Sequence, residues 1–150
     1  MSLERWAEYG WLKAESTSRD EIKGLLTIVD RDLHDARVNA ISEDRRFEAA
    51  FNAARTCANI ALRASGFRTT TQPGHHTKTV ESLELTIGAD AKLIRKMKTL
   101  SQKRNATSYD TAGNVSSQEL DLAIKTADEL RHAVVAWLEK SHPKLLKDKG

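Results

Sequence analysis

Cysteine is almost absent from this sequence. The single Cys57 leaves no pair for an internal disulfide and points to a reducing compartment, the cytoplasm. Prolines number two and glycines seven, and aromatics make up 5% of the residues. So few helix breakers, with abundant Ala, Leu, Lys and Arg, favour helices throughout. No run approaches the ~20 apolar residues that span a bilayer. The opening stretch MSLERWAEYG has no apolar core of signal-peptide length, so neither a membrane span nor a secretory leader is expected. Glycine-rich phosphate loops of the P-loop or dinucleotide type are missing, as is a G-x-S-x-G nucleophile motif. Charge of one sign is not in large excess either: the net charge is +3, and so mild a balance does not by itself identify nucleic acid as the partner.

What is present is helical periodicity. Trp6 and Leu12 place a first helix over about residues 3–15. Ser18 with Glu21 reads as a capping box, after which Ile22, Leu25, Leu26, Val29, Leu33, Ala36 and Ala40 recur at helical spacing for about six turns. Ser42 caps a third helix whose inner face is Phe47, Ala50, Phe51, Ala54, Ala58, Ala61 and Leu62, with Gly66 at its C-terminal end. Alanine rows let helix backbones approach closely, so this helix is expected at the centre, with Cys57 as a small buried side chain. The stretch GFRTTTQPGHH reads as a loop. A short helix over about 76–87 and a longer one over about 90–106 follow, then the turn DTAGNV. Ser116 with Glu119 forms a second capping box for the last helix, which Pro143 stops. No stretch alternates as a sustained strand, and no repeat of fixed period is visible.

The expected architecture is therefore all-α: an up-and-down antiparallel bundle of four main helices plus one or two short ones. It occupies a single domain over 1–150, with its core at about 3–140 and a frayed basic tail at 141–150. Trp6, Trp11, Phe67 and Trp137 either complete the core or serve an interface.

Charge is concentrated in AKLIRKMKTLSQKR, where Lys92, Arg95, Lys96, Lys98, Lys103 and Arg104 occur without an acidic residue among them. Such a run is either a solvated helix face or a phosphate-binding surface that releases counterions on binding. Arg104 stands apart, because it continues the apolar series Leu93, Met97, Leu100 and so points inward or toward a partner subunit. A cation there must be ion-paired or lie at an opening. Asp110, Asp121 and Asp128 are the candidate partners. His75 and His76 are the only adjacent histidines. With His34, His132 and His142 at no ligand spacing to them, no metal is expected, and nothing implies a cofactor.

Three stretches in this order, RRFEAAFNAARTCANIALRASGFRT, GHHTKTVESLELTIG and LSQKRNATSYD, resemble the HEPN domain (higher eukaryotes and prokaryotes nucleotide-binding), over roughly residues 3–140. The resemblance implies a helical module that handles RNA or a nucleotide and acts as a homodimer, in a toxin–antitoxin system or beside a nucleotidyltransferase. Many HEPN proteins are metal-independent ribonucleases whose site holds an arginine, a polar residue and, four to six residues on, a histidine. The matching positions are Arg104, Asn105 and, in place of the histidine, Tyr109. His75 and His76 match the start of the family's short helix, near the same cleft.

The substitution matters chemically. A tyrosine is only about one part in a thousand ionised at pH 7, so it donates a hydrogen bond readily but is a poor base. Residues five apart on a continuous helix are also about 140° apart around its axis, so Arg104 and Tyr109 converge only if the helix loosens between them. The reading is thus a binding module of little or no catalytic power. The alternatives are an active endoribonuclease with Arg104, Asn105 and Tyr109 from two subunits in one composite site, and a structural interaction bundle.

Overall fold

The computed structural model describes residues 1–109 and 115–146, with side chains for all of these except 106–109. The expected turn DTAGNV and the candidate partner Asp110 lie almost entirely outside the described residues. In chain order the elements are α1 (Leu3–Glu8), β1 (Leu12–Ala14), α2 (Arg19–Asp35), α3 (Glu43–Ala64), β2 (Phe67–Thr69), α4 (His75–Glu81), α5 (Leu83–Thr86), α6 (Ala91–Tyr109) and α7 (Ser117–Ser141). The four long helices form the expected bundle. No helix among the described residues is long and apolar enough to cross a membrane.

Helix α3 is the axis of the bundle and packs most extensively on α7 and α2. Its alanines make this possible: Ala53, Ala54, Ala58 and Ala61 are fully buried, as is Cys57, whose thiol burial pushes up to about 12. Ile22 and Val29 of α2, Met97 of α6, and Leu130, Val134 and Leu138 of α7 close on this surface. A second cluster joins Phe47 and Phe51 to Leu100, Leu120 and Ile124. A third places Trp6 with Leu3, Leu12 and Leu62, with Trp11 and Phe67 against it, while Trp137 packs on the main core. These four aromatics thus help finish the cores.

The helix starts follow the sequence closely. The hydroxyls of Ser18, Ser42 and Ser116 accept from the backbone N–H three residues on. Only Ser116 completes a capping box, because Glu119 returns to the Ser116 N–H at 2.9 Å. Glu21 instead accepts from Thr17 and Arg63. Ser116→Ala is expected to lower unfolding free energy by about 1 kcal/mol, measured by urea titration. No change would mean that this cap adds nothing to α7.

The N-terminal region departs from expectation. The first helix ends at Glu8, and Leu12–Ala14 pairs antiparallel with Phe67–Thr69, in the register Leu12↔Thr69 and Ala14↔Phe67. Strands of three residues are too short to show alternation, and their partners lie far apart in sequence. The second long helix stops at Asp35 rather than near 40, and the short helix breaks at Ser82 into α4 and α5.

The hairpin positions α4. Thr70 donates from its N–H to the Trp11 carbonyl at 3.0 Å and from its hydroxyl to the Gly10 carbonyl at 2.8 Å. Gly74, at φ +83°, then turns the chain into α4, a conformation that L side chains adopt only under strain. Lys78 stands 3.6 Å over the Trp11 ring and 5.0 Å over Trp6, a cation–π contact that holds the short helix to the hairpin.

Candidate functional site

Every residue of α3 from 50 to 64 is buried or half-buried, including its polar ones. Asn52, Arg55, Thr56, Asn59 and Arg63 fall at spacings of three, one, three and four, which gathers them on one side of the helix. That side is the floor of an opening between α2, α4 and α6. It is fixed from α2: Asp32, 6% exposed, accepts from the Arg31 guanidinium at 3.0 Å and from the Asn52 amide at 2.5 Å. The Asn52 carbonyl in turn accepts from Arg55 Nη2 at 3.3 Å. A relay from a buried carboxylate thus sets the position of Arg55.

Arg104 reaches the same place from α6. Leu93, Met97 and Leu100 are buried as the apolar line requires, and Arg104 follows them to the rim, where its side chain is 33% exposed. It pairs with Glu48 at 3.5 Å, a residue not among the aspartates considered from sequence, of which Asp110 lies outside the described residues. Asp128 pairs with Arg37 instead. The guanidinium of Arg104 lies 6.0 Å from the centroid of the Phe51 ring, and that of Arg55 lies 5.7 Å from the same centroid. Two cations therefore share one ring. The Arg55 guanidinium is held below the ordinary arginine value, first by burial and then by the charge of Arg104, with Glu48 opposing.

Three clefts meet at Arg55. One of about 300 Å³ is lined by Asp32, Arg45, Glu48, Phe51, Asn52, Arg55 and Arg104. A second, of about 370 Å³, lies between α3, α4 and α6, with Arg55, Arg104, Asn105, His75 and His76 on its walls. The third and largest, about 420 Å³, runs along α3 over Thr56 and Asn59 to Arg63. His75 and His76 line the second and third, their ring centroids 4.0 Å apart and their planes tilted by 43°. His75 Nδ1 is 3.1 Å from the Gln72 carbonyl oxygen, which can only accept, so the proton sits on Nδ1. Burial, then His75, Arg55 and Arg104, hold the His76 imidazole below the usual histidine range and favour its neutral form.

The structure thus brings Arg104, Asn105, His75 and His76 to one opening. It spreads the other cations of the basic helix. Lys96 pairs with Glu129 at 3.2 Å, Lys98 with Glu81 at 2.8 Å and Lys103 with Glu119 at 3.3 Å, while Lys92 and Arg95 are exposed. Helix α6 continues through Tyr109 without loosening, and the Tyr109 side chain lies outside the described residues. Among the described residues no three His, Cys, Asp or Glu side chains are grouped to hold a metal ion. Sequence reasoning missed Arg55 and its support by Asn52 and Asp32. The available signal was the polar stripe at helical spacing on an alanine-rich helix.

The family model of the HEPN domain matches residues 22–140. That span takes in Asp32, Asn52, Arg55, both cleft histidines and Arg104, and leaves out α1 and β1. No curated protein and no solved structure matches the chain.

Proposed function

Given that the chain belongs to the HEPN family, we propose that it binds RNA or a nucleotide by seating a phosphate between Arg55 and Arg104. The observation that carries this reading is the convergence of two guanidiniums over Phe51, where Glu48 is mostly exposed and the Asp32 carboxylate is held by Arg31 and Asn52. Like charges brought together at a half-buried site repel, and an anion there removes the repulsion. Guanidinium and phosphate also match as bidentate donors and acceptors. Lys92 and Arg95, exposed further along α6, add positive charge for the rest of an RNA strand, while Lys96, Lys98 and Lys103 would have to exchange their glutamate partners for phosphates. The working unit in this reading is a homodimer, associated with a nucleotidyltransferase or an antitoxin. Sedimentation and co-purification with the product of an adjacent gene test those two points.

A second reading, cleavage of the RNA, is favoured by His76. A neutral imidazole in the Arg104 cleft supplies a base that Tyr109 does not. The ribose 2′-hydroxyl would give its proton to His76 as its oxygen bonds to phosphorus. The bond from phosphorus to the 5′-oxygen would break, and that oxygen would take the proton back from the imidazolium. Arg104 and Arg55 would hold the non-bridging oxygens. In a dimer, Asn105 and Tyr109 of both subunits would complete a composite site.

One experiment separates these readings: mixed-sequence RNA is incubated with the protein and followed for both binding and cleavage. The binding reading expects Arg104→Ala to weaken RNA by about tenfold. Unchanged affinity in that variant and in Arg95→Glu with Lys96→Glu would leave only a structural bundle. Cleavage lost in both Arg104→Ala and His76→Ala supports the second reading, and intact RNA with the unaltered protein removes it.

A further inference from the structure

The largest cleft adjoins the phosphate site but differs from it in chemistry. Its floor continues the α3 stripe past Arg55 to Thr56 and Asn59. The other polar residues of that stripe are committed: Asn52 to Asp32 and Arg55, and Arg63 to the carbonyl oxygens of Glu15, Ser16 and Phe67. The side chains of Thr56 and Asn59 make no hydrogen bond among the described residues, yet neither has a sealed-off polar atom. A hydroxyl and a carboxamide therefore face an open cleft, available to a ligand. The same cleft is lined by Leu25 from α2 and by the adjoining His75 and His76 rings from α4, one apolar and one π surface.

The combination is asymmetric. At one end Arg55 offers charge for a phosphate, while at the other Arg63 and Arg68 are ion-paired with Glu15 and Glu21. Along the floor are neutral donors and acceptors, and the walls suit a flat ring. At about 420 Å³ the space falls within the ~300–1,000 Å³ of small-molecule sites, far more than a phosphate group requires.

We propose that the cleft over Thr56 and Asn59 holds the nucleoside of a nucleotide whose phosphate lies on Arg55. The carboxamide of Asn59 pairs with the edge of the base, the Thr56 hydroxyl with the ribose or base, and the base packs between Leu25 and the histidine rings. This rests on the phosphate reading above and adds that the nucleoside itself is recognised. A free nucleotide and the terminal nucleotide of an RNA share this chemistry.

The test is calorimetric titration of the full chain with AMP, GMP, CMP and UMP, with ribose 5-phosphate as the probe that lacks a base. A 5′-phosphorylated pentanucleotide run alongside distinguishes the end of an RNA from a free nucleotide by which binds more tightly. At least one nucleotide is expected to bind about tenfold tighter than ribose 5-phosphate, the worth of two neutral hydrogen bonds. Thr56→Val with Asn59→Leu is expected to erase that margin and leave ribose 5-phosphate within about twofold. Asn59→Asp, which keeps the side-chain shape, serves if the double variant does not fold, and it too should shrink the margin. Equal affinity for nucleotides and ribose 5-phosphate, or a margin that survives these changes, overturns the proposal. Failure of the phosphate reading looks different: ribose 5-phosphate then does not bind, or binds equally well to Arg104→Ala.

Discussion

Replacing Arg55 and Arg104 together with alanine is expected to lower affinity for single-stranded RNA by about 30-fold, with either single change costing about tenfold. A hydrogen bond to a charged group contributes ~1.5–3 kcal/mol, so each guanidinium accounts for at least a decade. The two should not add simply. In the free protein each raises the cost of the other, as the depressed Arg55 value indicates. Removing Arg104 therefore relaxes Arg55, and a double-mutant cycle should show coupling between them. Loss of one phosphate contact should also flatten the dependence of log K on log salt by ~0.7 for a single strand. Stability should respond differently from binding. Each substitution removes a contact with Phe51, Arg55→Ala also removes the 3.3 Å hydrogen bond to Asn52 and Arg104→Ala the 3.5 Å pair with Glu48, but both relieve repulsion. Unfolding free energies are expected within about 0.5 kcal/mol of the unaltered chain, as at other functional sites where like charges are held together. Binding measured at several salt concentrations, alongside urea titration, checks all of this. A double variant that binds RNA within about threefold of the unaltered protein would remove the paired guanidiniums from the function.

The helices were legible because each carries its own signal. Ser18, Ser42 and Ser116 mark starts by a local hydrogen bond, and the alanines of α3 mark the centre because only small side chains permit close approach on several sides. The line Leu93, Met97, Leu100, Arg104 likewise gave the inward direction of Arg104. It could not give Glu48, because the partner depends on how α6 sits against α3, and periodicity within one helix does not encode register between two. The hairpin escaped for the same reason. Leu12–Ala14 and Phe67–Thr69 are each too short to read as strands, and only the packing of α2 on α3 brings them together. Arg55 was hidden more simply. Attention to the apolar face of α3 passes over its polar stripe, and neither Asn52 nor Arg55 belongs to the motif that draws the eye to Arg104. Half of the cleft was thus visible as a line on one helix, and the other half needed a second helix beside it.

Arg63→Met is expected to cost about 3 kcal/mol, the largest single loss of stability in the chain outside the apolar core. Arg63 is among the few charged residues that the fold buries, at 5% exposed. Its Nη1 donates to the carbonyls of Glu15 at 2.9 Å and Phe67 at 3.1 Å, and its Nη2 to that of Ser16 at 2.8 Å and to the Glu21 carboxylate at 2.9 Å. One guanidinium thereby joins the segment before α2 to the start of β2, which the two-stranded hairpin alone does with only three residue pairs. Methionine keeps much of the aliphatic stem but supplies no donor, so three carbonyl oxygens lose a partner near a buried position. Breaking a buried pair by removing one member costs ~3–5 kcal/mol. The lower end applies here, because Glu15 and Glu21 are about 40% exposed and can regain water. Arg63→Lys should lie between, since an ammonium keeps the charge but not the fork that reaches four acceptors. Because the hairpin carries Trp11 against Lys78 of α4, loosening it should also alter the tryptophan signal in near-ultraviolet circular dichroism and free the histidines at the cleft. Urea unfolding gives the free energy directly. A loss below about 1 kcal/mol, with the tryptophan signal unchanged, would mean that the hairpin holds α4 in place without Arg63.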